Sequence, residues 1–210
     1  MSQLALYLLG TSRIELDGVP IEVDRRKAIA LLIYLALTHQ PQSRDALATL
    51  FWPGYDQTYA RANLRRTLSV LNQALGENWL DIERESITLP HRDDLWLDVD
   101  QFHHLLASCE THGHSRTEIC SACLPPLSEA VALYTGDFLT GFTLPDCPDF
   151  DDWQLFQAES LRQELAYGLE RLVRGHAGQS ELKPAIAYAR RWLALDPLHE
   201  PALRHLMQLY

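Results

Sequence analysis

The sequence predicts an α+β domain followed by an all-α domain, and three observations predict it. Short runs of alternating apolar residues open the chain, three helical segments follow, and a second set of alternating runs ends near residue 98. From Val99 onward the period is helical throughout. The two domains are accordingly placed at residues 1–98 and 99–210. A chain of 210 residues with 47% hydrophobic composition is long enough to bury a core in one large domain or in two small ones.

The elements of the first domain come in a definite order. Leu4 to Leu9 reads as a strand, and Ser12–Leu16 and Val19–Val23 flank an Asp17-Gly18 pair, a strong hairpin signal. A first helix runs from about Arg26 to Thr38 and is stopped by Pro41. Its apolar stretch, Ala28 to Leu37, is too short to span a bilayer and lacks a signal-like start, so it reads as a buried helix. Ser43 caps a second helix that ends at the Trp52-Pro53-Gly54 turn. A third helix spans Thr58–Leu75 and is closed by Gly76. The period then returns toward two at Trp79–Ile82, Ile87–Leu89 and Leu95–Asp98, with a polar tip at Glu83–Ser86. Three helices followed by a hairpin is the order of a winged helix.

The third helix segregates its residues most sharply. Leu64, Leu68, Leu71 and Leu75 share one face, and Ala62, Arg65, Arg66, Ser69 and Gln73 fall on the other. No acidic residue occurs between Asp56 and Glu77. One side is therefore set against a protein core and the other is available to a polyanion; a surface helix with solvated arginines is the competing reading. The formal charge of −10 excludes a protein that coats nucleic acid indiscriminately, so any such contact is local. Residues 1–98 carry ten Lys/Arg against thirteen Asp/Glu, and residues 99–210 carry eight against fifteen. The positive charge of the less acidic half is clustered at Arg25-Arg26-Lys27 and at Arg61, Arg65 and Arg66.

The second domain reads as successive helices: Val99–Cys109, Leu124–Leu139, Phe150–Gly178, Glu181–Pro197 and His199–Tyr210. The segment around Tyr188-Ala189-Arg190-Arg191-Trp192 resembles the second helix of a tetratricopeptide unit, with Ala185 and Ala189 at close-approach positions and Pro197 opening the next repeat. Such repeats require stacked neighbours, so a chain stopping at Tyr210 reads as part of a longer polypeptide.

Between the first two of these helices lie Cys109, His112, His114, Cys120 and Cys123. Three thiols and an imidazole around a Cys-x2-Cys knuckle form a natural tetrahedral zinc set. Five candidates exceed four places, so one histidine is surplus; the choice between His112 and His114 is open, with His114 favoured as the surplus one. Buried cysteines beside a polar loop are the alternative. With no export signal the cytoplasm is expected, where thiols stay reduced and a disulfide framework is disfavoured. A site closed by protein ligands has no open place for substrate, so Glu118 nearby does not make it catalytic and the zinc is read as structural. His103 and His104 are adjacent on a helix, point in different directions and cannot both join it. Cys147, remote beside Pro148, is assigned to packing. The acidic run Asp146–Asp152 lacks the glycine and the terminal glutamate of a calcium loop, and no phosphate-cradling or nucleophile-elbow motif is present. No enzymatic activity is therefore expected.

Taken in order, Leu6–Gly10 (LYLLG), Asp17–Ile21 (DGVPI), Asp24–Leu37, Leu47–Pro53 (LATLFWP), Ala60–Gly76, Trp96–Phe102 (WLDVDQF) and Leu133–Phe142 (LYTGDFLTGF) resemble a known arrangement. It is the OmpR-type winged helix joined to a bacterial transcriptional activator domain, as in antibiotic-pathway activators and large ATPase-linked regulators. The Cys/His segment is similar to an insert of the latter. One departure is that His91-Arg92-Asp93-Asp94 stands where such activators often carry a Gly-Tyr at the wing.

The resemblance implies sequence-specific binding of double-stranded DNA with the third helix in the major groove. Arg65 and Arg66 would contact phosphates or guanine, Asn63 adenine, and Ser69 would let the helix sit deep, with Ala62 and Gln73 on the same face. Arg61 would meet phosphate or an internal carboxylate. Arg25, Arg26 and Lys27 stand at a helix start, where the dipole disfavours cations, which points to an external anion for some of them and a solvated turn for the rest. Arg84 is the wing candidate. The expected partners are DNA, RNA polymerase or a second copy of the chain on tandem sites, without a membrane. Two rival readings are a protein-interaction adaptor whose winged domain does not bind DNA, and a zinc hydrolase.

Overall fold

The computed structural model describes residues 2–76, 78–109, 113 and 118–210. It contains two compact units, each assembled from separated stretches. The first comprises Met1–Tyr7, Thr11–Leu97 and Gly141–Phe156, and the second Leu8–Gly10, Asp98–Thr140 and Gln157–Tyr210. This differs from a single cut at residue 98, for reasons visible in the side chains of each unit.

In the first unit, β1 (Leu4–Tyr7), β2 (Arg13–Leu16) and β3 (Val19–Pro20) form an antiparallel meander. Asp17 and Gly18 both adopt positive φ, 55° and 75°, which is the mirror-image turn that suits the twist of two paired strands. The Asp17 carboxylate accepts the Gln3 amide at 2.8 Å and locks the register. The buried α1 (Arg26–Thr38) follows and ends at His39 in the left-handed conformation. A two-residue strand, β4 (Gln42–Ser43), too short to be read from periodicity, precedes α2 (Arg44–Phe51), whose first turn is capped by Ser43 Oγ accepting from the Ala46 amide at 3.2 Å.

The third helix, α3, spans Gln57–Leu75 and is capped by Asp56, which accepts from the Thr58 and Tyr59 amides. Its buried residues are Ala60, Leu64, Thr67, Leu68, Leu71 and Leu75, a single stripe; each buried leucine contributes about 2 kcal/mol. The hairpin of β5 (Asp81–Ile82) and β6 (Ser86–Thr88) pairs through β6 with β4. β7 (Leu95–Leu97) leaves it and joins the first sheet parallel to β1, with Leu4 opposite Leu95. The order of that sheet is β3-β2-β1-β7.

Residues 141–156 belong to this unit because their aromatic side chains complete its core. Phe150 lies 5.5 Å from Phe51 and 5.3 Å from Trp153, and Trp153 lies 5.1 Å from Tyr34, between ring centroids. Cys147, buried, donates its thiol to the Phe51 carbonyl at 3.3 Å.

The second unit contains α4 (Asp98–Ser108), α5 (Leu124–Leu133), α6 (Pro148–Gly178) from Gln157 onward, α7 (Leu182–Leu195) and α8 (Glu200–Leu209). α4 packs on α5 and α7 on α8. At Gly175 an added Cβ would stand 2.5 Å from Leu124 Cδ2, so glycine permits the close approach of α6 to the start of α5. The helix expected to run through Leu139 ends instead at Leu133. Residues 135–140 turn back to bond Leu8–Gly10: Leu139 N donates to Leu8 O and Thr140 N to Gly10 O, both at 2.9 Å, and Thr135 Oγ1 donates to Leu9 O at 2.6 Å. Asp98 Oδ2 accepts the Leu8 and Leu9 amides at 2.7 and 2.8 Å. Burial nonetheless pushes that carboxyl up to about 6, against the two amides. Among the described residues no helix is long and apolar enough to cross a membrane.

Candidate nucleic-acid interface

The stripe that anchors α3 leaves Arg65, Arg66, Ser69 and Gln73 exposed on its outer face, with Ala62 and Asn63 half-buried at the shoulder. Neither Arg65 nor Arg66 has an ion-pair or hydrogen-bond partner among the described residues. Asn63 Nδ2 donates to the Tyr59 carbonyl one turn back, 3.1 Å away.

Arg65, Ser69 and Gln73 line a groove of about 560 Å³ together with Arg44, Leu68, Asn72 and Ile82. The groove therefore runs between the outer face of α3 and the β4-β6-β5 sheet. Arg44 is a groove cation that sequence reading passes over. It sits there because β4 pairs with β6, and its guanidinium donates to the Glu83 carbonyl at 2.6 Å.

Two of the predicted cations are held by protein groups, and for Arg61 the internal carboxylate, one of its two expected partners, is the one found. Arg61 forms a two-pronged bond to Asp45, Nε to Oδ1 at 2.5 Å and Nη2 to Oδ2 at 2.6 Å, and Gln57 donates to the same Oδ1 at 2.7 Å. The Arg61 hydrogen bond, then that of Gln57, holds the Asp45 carboxyl below the usual carboxylate range. Lys27 donates to the Phe51 carbonyl at 2.5 Å, where a cation complements the end of α2, and stands 5.3 Å above the Trp52 ring.

Arg26 reaches the Thr143 carbonyl at 3.4 Å, and Arg25 is exposed just ahead of α1. With Lys27, Trp52, Tyr55, Tyr59 and Asn63 these two line a second groove of about 460 Å³ at the start of α3. Tyr55 and Tyr59 are stacked on its edge, with ring centroids 4.7 Å apart, and both are exposed.

At the hairpin, Arg84 is almost fully exposed and lies 3.4 Å from Glu85. Arg92, which stands in the segment replacing the Gly-Tyr, is engaged internally: it donates to the Asn78 carbonyl at 2.5 Å and covers the Trp79 ring at 5.6 Å. The tip of the hairpin is therefore acidic on both sides of one arginine.

The sulfur cluster lies in the second unit. Cys109 follows α4, and Cys120 and Cys123 bracket the turn that leads into α5. The four cysteines are reduced, and burial pushes the Cys123 thiol up to about 11. His112 and His114 fall outside the described residues. His103 bonds Glu164 at 3.0 Å, and that bond raises its pKa.

The comparisons with known proteins bear on both units. A solved structure, Mycobacterium tuberculosis EmbR in complex with low affinity phosphopeptide, superposes with a TM-score of 0.75 at 19% identity, over 100% of this chain and 55% of that one. The likeness is one of fold, a winged helix followed by a helical domain, and this chain spans about half the length of the other. No curated protein matches. Residues 97–210, more than half of the chain, match the family described as Bacterial transcriptional activator domain, and the chain belongs to that family.

Proposed function

We propose that the chain is a sequence-specific DNA-binding transcription regulator of the activating kind, with α3 lying in the major groove. The observation that carries this reading is the outer face of α3, an acid-free surface on which Arg65 and Arg66 have no partner among the described residues. Ser69 and Gln73 extend that face, and Asn63 and Ala62 complete its shoulder. Arg65 and Arg66 supply bidentate donors to guanine or to phosphate, and the short Ser69 lets the helix approach the base edges. Arg44 and Arg84 track the backbone beside it, and Arg25 and Arg26 offer a second phosphate contact at the start of α1. Arg61 and Lys27 act from behind, fixing α3 to α2 and α1 to the end of α2.

The helical unit is tetratricopeptide-like in its paired helices. In this reading it pairs two copies on tandem sites or engages RNA polymerase, in the cytoplasm and without catalysis. The test is selection of bound duplexes from a random pool followed by electrophoretic shift. A complex is expected that weakens steeply with salt and is lost in R65A/R66A. Wild-type binding by that double variant would reject the assigned face.

The acidic flanks of Arg84 and the net charge of −10 favour a second reading, an adaptor whose winged unit binds protein. It requires that the selection recover no duplex with the intact chain.

A further inference from the structure

We propose that the groove at the start of α3 is a binding site for a nucleoside phosphate: Arg25 and Arg26 hold the phosphate, the stacked Tyr55 and Tyr59 carry the base, and Asn63, Thr67 and Asp146 meet the polar edge of the base and the ribose. The site lies wholly within the first unit. It goes beyond the phosphate contact already given to Arg25 and Arg26, and no duplex is needed to fill it, so its occupancy is independent of the DNA reading.

Positive charge is concentrated in this groove by two means. Three consecutive cations, Arg25, Arg26 and Lys27, line it. α1 adds its own N-terminus: no side chain caps it, no acidic residue stands in its first turn, and the Arg26 and Lys27 amides have no acceptor among the described residues. The dipole opposes cations at a helix start, and an anion bound there offsets that opposition. Lys27 is engaged with the Phe51 carbonyl, which leaves the two arginines. Arg26 reaches the Thr143 carbonyl only at 3.4 Å, and Arg25 has no ion-pair or hydrogen-bond partner among the described residues. Both are exposed, and the planar fork of a guanidinium matches the geometry of a phosphate.

The rest of the lining fits more than a bare anion. Tyr55 and Tyr59 stack with an interplanar angle of 26° and are 56% and 47% exposed, a platform on which a planar base can lie. Thr67 is 2% exposed and lines the groove, yet its hydroxyl has no hydrogen-bond partner among the described residues. A buried hydroxyl without a partner is unfavourable unless a ligand supplies one. Asn63 donates its amide to the Tyr59 carbonyl and keeps its side-chain oxygen as an acceptor. Asp146 adds a carboxylate, which disfavours a simple anion and accepts from hydroxyl or amino groups such as a ribose or a base carries. The volume of about 460 Å³ falls within the range of about 300–1,000 Å³ of small-molecule sites.

The test is calorimetric titration of the full chain, with no DNA present, against the nucleoside monophosphates of adenine, guanine, cytosine and uracil. At least one is expected to bind with Kd below about 1 mM. The matching nucleoside, which lacks the anion, and ribose phosphate, which lacks the ring, should bind at least about tenfold more weakly. R25A/R26A should weaken the nucleotide at least about tenfold, Y55A/Y59A at least about fivefold, and T67V at least about threefold. The side chains removed by the two double variants are exposed, so their melting temperatures should stay within about 2 °C of wild type. T67V keeps the shape of the buried side chain and removes only the hydroxyl.

Three results would overturn the proposal: no monophosphate binding below about 1 mM, inorganic phosphate matching the nucleotides in affinity, or wild-type binding by any of the three variants. The second would mark the groove as the seat of a bare phosphate in place of a nucleotide.

Discussion

The second unit answers Arg162, Arg171 and Arg191 with its own groups, whereas the first leaves Arg65 and Arg66 unanswered among the described residues. In the second unit, Arg162 donates to the Leu195 carbonyl at the end of α7, and Arg191 donates to the Tyr134 carbonyl at the end of α5, 2.6 Å away. Arg171 is buried with its guanidinium 5.4 Å from the Tyr167 ring. Each answers to a carbonyl or a ring of its own unit, and the two carbonyls lie at helix C-termini, where a cation is favoured. In the first unit Lys27 and Arg61 behave the same way. Arg65 and Arg66 do not: they project from a helix whose opposite face is fully committed to leucine packing. Composition cannot separate these roles, because the same residue type serves both. What separates them is whether the protein supplies the counter-group.

The sharpest way to break that comparison is R65A/R66A. DNA affinity should fall at least about thirtyfold, two contacts of about 1–3 kcal/mol each, as measured by electrophoretic shift. The melting temperature should stay within about 2 °C, as for an exposed surface change. R191A should do the reverse, costing about 2 kcal/mol of stability and several degrees of melting temperature through an orphaned helix end, with DNA affinity retained while the chain is folded. A loss of DNA binding in R191A without a loss of stability would erase the distinction.

Asp98 gives a comparison in pH. Its carboxyl titrates at about 6 in the folded chain against 3.8 ordinarily, so the folded state holds the proton more tightly. Its favourable contribution is complete below pH 3.8 and is lost as pH rises through about 6, a change of about 3 kcal/mol. The melting temperature of D98N relative to wild type should accordingly rise between pH 4.5 and 7, followed by calorimetry. A constant difference would mean that the Leu8 and Leu9 amides keep the carboxylate ionised. The smallest effect is expected of D45A, which releases Arg61: affinity should increase a few-fold and the salt dependence should steepen by up to one phosphate contact, a slope change of about 0.9.

Much of this was readable from local pattern. The Asp17-Gly18 turn, the Ser43 cap, the bounds of α1 and the leucine stripe of α3 are each decided by residues within a few positions of one another, where propensity and periodicity act. The meeting of Cys120 and Cys123 is likewise local. What escaped was non-local. β4 is two residues long and exists only through its pairing with β6. β7 chooses β1, some ninety residues away, over continuing its own hairpin. The stretch after Leu133, as far as Leu139, reads as helix by composition, yet 135–140 bond Leu8–Gly10 because three backbone acceptors wait there. Arg61 and Asp45 lie on different helices, and nothing in the spacing of either one announces the pair.

The three residues Leu8–Gly10 carry a consequence for recombination. The match to the activator-domain family begins at residue 97, but the unit it describes is finished by a tripeptide lying almost ninety residues upstream. A cut at the single junction before residue 97 therefore divides that unit. A recombinant that grafted a foreign N-terminal unit onto residues 97–210 would need to import a matching Leu-Leu-Gly with it, or leave Asp98 and the 135–140 turn without those bonds.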